Sequence, residues 1–405
     1  MKRVILSLTL VIALLAASNA EAAGARKIVL STDATGAELE GLCLINGCGV
    51  VQHMPDGIVI TLPARASEKA LAALLEHNKV ILIEDDAVAS AVGKPTDKPG
   101  KGPGGGGGGD DDTQPVQEMP WGVNRVDADF AWGTITGAGV NIAIVDTGID
   151  YTHPDLAANY MGGYNAINTK KSPKDDDRAH SHGTHCAGIV AALNNEIGVV
   201  GVAPGAGLYA VKVLDRSGSG WVSDIIEGID WCIWKGDISV ISMSLGADVA
   251  DEIVSFRQAV QRAAAAGIVV VCAAGNHDPA LADPGVSQPG RYPEAIAVAA
   301  TGDYQTGTPS DGLASFSNTG PEVDIAAPGV AIYSTMRGGS YGNLNGTSMA
   351  CPHVTGVVAL MKQAGTWSLV NLYGTADNIG LLPEEGGAGL LDAEEAAVGT
   401  EGGDN

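Results

Sequence analysis

Three short stretches of the sequence hold side chains that could together act on a carbonyl. Asp146 ends an apolar run in Asp146-Thr147-Gly148, His182 opens His182-Gly183-Thr184-His185, and Ser348 lies in Gly346-Thr347-Ser348-Met349-Ala350. A serine hydroxyl is a weak nucleophile until a base takes its proton. Imidazole titrates nearest neutrality, and a carboxylate can fix its tautomer and steady its cation. On this reading Ser348 attacks, His182 carries the proton to the leaving amine, and Asp146 holds the ring. Asn276 follows Ala273-Ala274-Gly275; its side-chain amide and the backbone N–H of Ser348 would donate to the tetrahedral oxyanion. Taken singly, each residue has a plainer use: Asp146 or Ser348 as a helix cap, Asn276 as a turn residue. His180, His182 and His185 also admit a metal cluster, but no carboxylate base follows at the spacing of a zinc peptidase motif.

Such residues can meet only if the fold brings them together. Apolar, β-branched runs at 141–145, 208–213, 240–243, 268–272 and 295–299 alternate with Ala-rich helical patterns. This predicts an α/β fold, with a mostly parallel central sheet and helices on both faces. In open α/β sheets ligands bind beyond the carboxyl ends of the strands. Asp146, Ser244-Leu245-Gly246 and Asn276 each follow such a run, so they should share one rim. His182 and Ser348 each precede a helical pattern, and a helix N-terminus favours a developing negative charge. Pro352 is tolerable in a first turn, where backbone donors lack intrahelical partners.

Composition divides the remainder. Residues 1–23 read as a signal peptide: Lys2 and Arg3, an apolar run 4–17, then small residues around Ser18-Asn19-Ala20. That run is shorter than the ~20 residues needed to span a bilayer, so the protein is expected to be secreted, with no membrane partner once the signal is removed. Residues 24–92 carry strand-like runs at 27–30, 57–62 and 80–84 and an amphipathic helix at 67–77, a small α+β module. Residues 93–113 are a Gly-, Pro- and Asp-rich linker with six glycines at 104–109 and three aspartates at 110–112. The aspartates lack the interleaved ligands of a calcium loop. Residues 114–400 form the large α/β domain, and 401–405 a tail. A net charge of −24 excludes a nucleic-acid surface built on clustered Lys and Arg. Of six cysteines, Cys43 and Cys48 could pair across Asn46-Gly47, while Cys186, Cys232, Cys272 and Cys351 read as buried thiols.

The chain order Asp, His, Ser within these motifs resembles the subtilase family of serine proteases. Residues 182–204, HGTHCAGIVAALNNEIGVVGVAP, are similar to the secreted bacterial subtilisins, and Cys186 to the thermitase and proteinase K branches. The resemblance implies a secreted serine endopeptidase made as a self-processing zymogen. Residues 24–92 would be a ferredoxin-like inhibitory propeptide and intramolecular chaperone, with Ile83-Glu84-Asp85-Asp86 as its acidic last strand. Self-cleavage would free an N-terminus near Gln114. A protein or peptide substrate would lie between Gly218-Ser219-Gly220 and Ser244-Leu245-Gly246. Its primary pocket would be walled by Ala273, Ala274 and Gly275 and floored near Ser287, where the family usually has glycine. That change implies a shallower or more polar pocket, with His277 on its rim; both residues could equally be solvated loop residues. A structural Ca²⁺ is implied at Gln117, Asp155, Asn195 and the carbonyls of Leu193, Ile197 and Val199. A monomer is expected. Two other readings stand beside this one: a processing protease with a single substrate, and a pseudoprotease that binds peptide without cutting it.

Overall fold

The computed structural model describes residues 25–32, 36–62, 67–91, 114–303 and 311–399. The expected signal peptide, linker and tail lie outside them. The chain divides into two compact units, Met1–Asp86 and Ala87–Asn405.

The first unit contains β1 (Ala25–Ser31), α1 (Ala37–Ile45), β2 (Gly49–Met54), β3 (Gly57–Leu62), α2 (Ser67–Leu75) and β4 (Val80–Asp85). Its antiparallel sheet runs β2-β3-β1-β4. Leu39 and Cys43 of α1 and Ala70 and Leu74 of α2 cluster with Val29, Ile58 and Ile60 of the sheet. A Cys43–Cys48 disulfide closes the turn after α1. The compact division falls after Asp86, so the last residues of the sequence-defined module, β5 (Val88–Ala91), belong to the second unit.

The second unit continues through α3 (Trp121–Arg125), β6 (Asn141–Asp146), β7 (Tyr160–Asn165), α4 (His182–Ala191), β8 (Gly207–Lys212), β9 (Ser219–Trp221) and α5 (Val222–Lys235). Then come β10 (Val240–Met243), β11 (Leu245–Gly246), α6 (Val254–Ala265), β12 (Val269–Ala273), β13 (Ile296–Asp303), β14 (Asp311–Leu313) and β15 (Ile325–Pro328). The hairpin β16 (Ile332–Met336) and β17 (Ser340–Leu344) leads into α7 (Thr347–Ala364) and three short helices. The main sheet runs β14-β13-β12-β10-β6-β8-β7, with β15 on β13; all its pairings are parallel except that of β14.

Parallel strands buried on both faces read as unbroken apolar runs, and β6, β10 and β12 do so. On one face Ile142 and Ile144 pack with residues of α4 and α7. On the other, Gly228 of α5 approaches Val145, Val211 and Val213 so closely that a β-carbon there would stand 2.7 Å from Val213. Among the described residues no helix is long and apolar enough to cross a membrane.

Candidate active site

β6 delivers Asp146 at its carboxyl end, fully buried. Its Oδ1 accepts from the Thr147 backbone N–H at 2.6 Å, and Nδ1 of His182 lies 2.8 and 2.9 Å from Oδ1 and Oδ2. An ionised carboxylate only accepts, so Nδ1 carries the hydrogen and Nε2 is the basic nitrogen. Nε2 is buried and has no hydrogen-bond partner.

The sequence around His182 explains how the ring is aimed. Ser181 precedes α4 in the left-handed region at φ 52°, a conformation uncommon for a residue with a side chain. Asp177 stabilises that turn, accepting from the backbone of Ala179, His180 and His182. Gly183 is required by close approach: a β-carbon there would stand 2.2 Å from the Gly148 carbonyl. Its N–H donates to Thr147 Oγ1 at 2.9 Å, tying α4 to the Asp146 strand.

Burial works against charge on the His182 ring. Asp146, by its charge and its hydrogen bond, outweighs that penalty, and Asp177 and Asp175 add to it, so the pKa lies above the ordinary 6.5. The other histidines behave differently. His185 donates Nε2–H toward the carbonyls of Ile332 and Gly342 at 3.0 and 3.1 Å, and burial lowers its pKa to about 3. His353 bonds Met349 O, and burial lowers it to about 4. His185 and His353 are packed, neutral rings, and His185 Nε2 is spent on backbone carbonyls rather than aimed at a site shared with His182.

Ser348 sits in the first turn of α7, its hydroxyl donating to Ser244 O at 3.1 Å. Ser244 Oγ donates back to Ser348 O at 2.8 Å, and Cys186 Sγ, one turn along α4 from His182, reaches the same carbonyl at 3.4 Å. The start of α7 is thereby pinned against α4 on one side and the end of β10 on the other. Asn276 Oδ1 accepts from Thr347 N at 3.0 Å and Thr347 Oγ1 at 2.9 Å, which turns its Nδ2 the opposite way.

Residues 137–378 match the model of the subtilase family of peptidases. The chain is 41% identical to subtilisin E of Bacillus subtilis (strain 168) over 307 residues, which cover 75% of this chain and 71% of that one. It is 45% identical to subtilisin Savinase of Lederbergia lenta over 287 residues, 69% of this chain and 99% of that one. The chain belongs to the subtilase family. It is a serine endopeptidase with an α/β fold.

In this subtilase the cleft expected between 218–220 and 244–246 holds a segment of the chain itself. β5 lies between β9 and β11 as the middle strand of a three-stranded sheet, with Ala89 opposite Gly220, Ser90 opposite Ser219 and Gly246, and Ala91 opposite Leu245. The Ala91 N–H donates to Gly218 O at 2.7 Å. Gly220 itself lies tight against the preceding chain, where a β-carbon would stand 2.2 Å from Val213 O. Ala89 is fully buried. Beyond the cleft edges, Ser287 packs against Gly275, and His277 Nδ1 bonds Asn318 Oδ1 at 3.0 Å.

The six residues expected around calcium also meet. Asp155 is fully buried, and its carboxylate accepts from Asn195 Nδ2 at 2.8 Å and Val199 N at 3.0 Å. Gln117 Oε1 accepts from Asn195 N, and Leu193 N bonds Asp155 O. The carbonyls of Glu196 and Gly198 accept from Gln117 and Glu118 N–H, which turns the intervening Ile197 carbonyl to the other side. Among the described residues no lysine or arginine pairs with Asp155. A buried carboxylate with no Lys or Arg partner, near the side-chain oxygens of Gln117 and Asn195, fits a hard divalent ion once those oxygens exchange their N–H partners for it.

Sequence reasoning passed over several contributors. Asp175 and Asp177, only 1% and 2% exposed, stand in the charged run Lys174-Asp175-Asp176-Asp177-Arg178, which reads as a solvated loop. Burial raises the Asp175 pKa to about 6, against lowering bonds from Thr184 and the Asp177 N–H. Lys212 donates to Thr147 O, Leu214 O and Asp176, all at 2.7 Å, bracing the loop after Asp146. An acidic triplet ending five residues before a motif histidine was the available signal.

Proposed function

We propose that this chain is the zymogen of a secreted endopeptidase that cuts peptide bonds through Ser348, His182 and Asp146 by way of an acyl-enzyme. The carrying observation is the buried Asp146–His182 pair, which leaves Nε2 as the one basic ring nitrogen. When a peptide carbonyl arrives, the Ser348 hydroxyl turns from Ser244 O to Nε2. Its oxygen bonds the carbonyl carbon as the proton passes to His182. The oxyanion takes bonds from Asn276 Nδ2 and Ser348 N–H. His182 then gives its proton to the leaving amine, and water repeats the sequence on the ester.

The occupied cleft supports inhibition by the chain's own N-terminal part. β5 ends with Ala91 opposite Leu245, the neighbour of Ser244, which bonds Ser348, so a first cut would fall shortly beyond Ala91. An N-terminus near Gln114 would then need a second cut. The test is active-site labelling of the processed protein with a fluorophosphonate. Incorporation at Ser348 is expected, and none would favour a peptide-binding pseudoprotease.

Calcium would be held by Gln117, Asp155, Asn195 and the carbonyls of Leu193, Ile197 and Val199. Bound there, it would replace the internal bonds of the loop with ion contacts and tie the segment at Gln117 to it. Anything that binds only the folded state stabilises it by mass action, about 4 kcal/mol at a thousandfold excess over Kd. Chelation is therefore expected to lower the melting temperature of the processed enzyme by several degrees, with recovery on adding calcium. An unchanged melt would remove the assignment.

A further inference from the structure

Beside Asn276, the serine expected at the base of the primary pocket opens a hydrogen-bond chain that ends on an exposed carboxylate. Ser287 Oγ donates to Asp248 Oδ1 at 2.5 Å and accepts from Asn318 Nδ2 at 3.3 Å, while Asn318 Oδ1 accepts from His277 Nδ1. The hydrogens thus all point from His277 toward Asp248, where the chain ends on a carboxylate. Gly275 fixes where this floor lies: a β-carbon on it would stand 2.2 Å from Ser287 Oγ. Asn276 is the next residue. A substrate residue whose carbonyl met the Asn276 amide would carry its side chain past Gly275 toward the Asp248 end of this chain.

Asp248 is held in place. Ala247 and Gln288 exchange backbone bonds at 2.8 and 3.3 Å, and the Gln288 side chain donates to the carbonyls of Val249 and Asp251 and accepts from Ile253 N. A charge on a braced loop needs no reorganisation when its ligand arrives. Nor is it already neutralised. Among the described residues no lysine or arginine pairs with Asp248, and Arg291 spends its Nε and Nη1 on the carbonyls of Val286 and Ala250.

We propose that Asp248 determines specificity, fitting this pocket to a lysine or arginine on the residue that supplies the scissile carbonyl; this rests on the endopeptidase reading above. The aliphatic stem of such a side chain would pass the backbone at Gly275 and bring its cation to the exposed carboxylate. The Ser287 hydroxyl occupies depth that an aromatic ring would need, so the same floor discriminates by repulsion as well as attraction. The cleft strand Val88–Ala91 has no basic residue and needs none, because a tethered segment meets Ser348 at a high effective concentration.

The experiment uses processed enzyme and peptides identical except at that residue, which is lysine, arginine, leucine, phenylalanine or glutamate. At low salt kcat/KM is expected to be about tenfold higher for lysine and arginine than for leucine and phenylalanine, and lowest for glutamate. Added salt should shrink the ratio, because Asp248 is exposed. Asp248→Asn is expected to lower the lysine-to-leucine ratio about tenfold, and Asp248→Glu to retain it. A native preference for leucine or phenylalanine, or an unchanged ratio in Asp248→Asn, overturns the proposal. Fluorophosphonate labelling separates the two failures: label without basic preference defeats only the role of Asp248, whereas no label defeats the endopeptidase reading beneath it.

Discussion

Ser348→Ala, made in a host without other proteases, is expected to accumulate as the uncut chain and to lose peptide hydrolysis by about 10⁶-fold in turnover, a magnitude carried over from a subtilisin. The variant deletes one oxygen and little else. The backbone N–H of residue 348 remains at the start of α7, and Asn276 stays clamped by Thr347. Binding should therefore survive while the acyl bond cannot form. Residual hydrolysis of roughly 10³–10⁴-fold over water is what an intact oxyanion site alone leaves. Because Ser348 is fully buried and donates to Ser244 O, the lost hydrogen bond leaves an acceptor unsatisfied. That costs about 1–3 kcal/mol of stability, too little to unfold a typical domain. Mass spectrometry of the purified variant checks the prediction. A normally processed N-terminus would show that another agent does the cutting.

What was legible in the sequence depended on how local its cause was. β6, β10 and β12 are apolar on both faces, so NIAIVD, VISM and VVVCA betray them within a residue of their ends. β7, YMGGYN, is half-buried and carries two glycines; it pairs only with β8 at the sheet edge and gave no pattern to read. α1 and β2 were hidden in a stretch whose hydrophobic pattern is weak, and the Cys43–Cys48 disulfide closes the turn between them. Val88–Ala91 has strand geometry because two cleft edges supply its partners, at separations of about 130 and 155 residues that no local window contains. The motif residues were readable because each sits where a strand ends or a helix begins. Asp175, Asp177 and Lys212 were not, since their burial follows from how the turn before α4 folds over the end of β6. The bond from Ser287 to Asp248 crosses two loops, and only its serine end stood out in the sequence.

Asp146→Asn is expected to lower turnover by about 10⁴-fold and to move the acid limb of the pH–rate profile to lower pH, two effects with separate causes. The first is a matter of tautomer. Thr147 N–H already donates to Oδ1 at 2.6 Å, so an asparagine would keep its oxygen there and turn its NH₂ toward His182 Nδ1. Nδ1 must then accept, Nε2 must carry the ring hydrogen, and Ser348 loses its base. The second effect is electrostatic. Catalysis needs neutral imidazole, so kcat/KM falls as pH drops through the His182 pKa. Against the opposing effect of burial, Asp146 is the largest influence holding that pKa above 6.5. Removing its charge lowers the pKa, and the remaining activity should persist to more acid pH. Asp175 broadens the native limb: as it protonates near pH 6 it withdraws a negative charge from the ring, which makes His182 harder to protonate. Profiles of kcat/KM on a neutral peptide, taken for the native enzyme and Asp146→Asn, test both effects. A limb that stays in place while turnover falls would mean that Asp146 acts on the tautomer alone, and a loss below tenfold would remove it from the catalytic machinery.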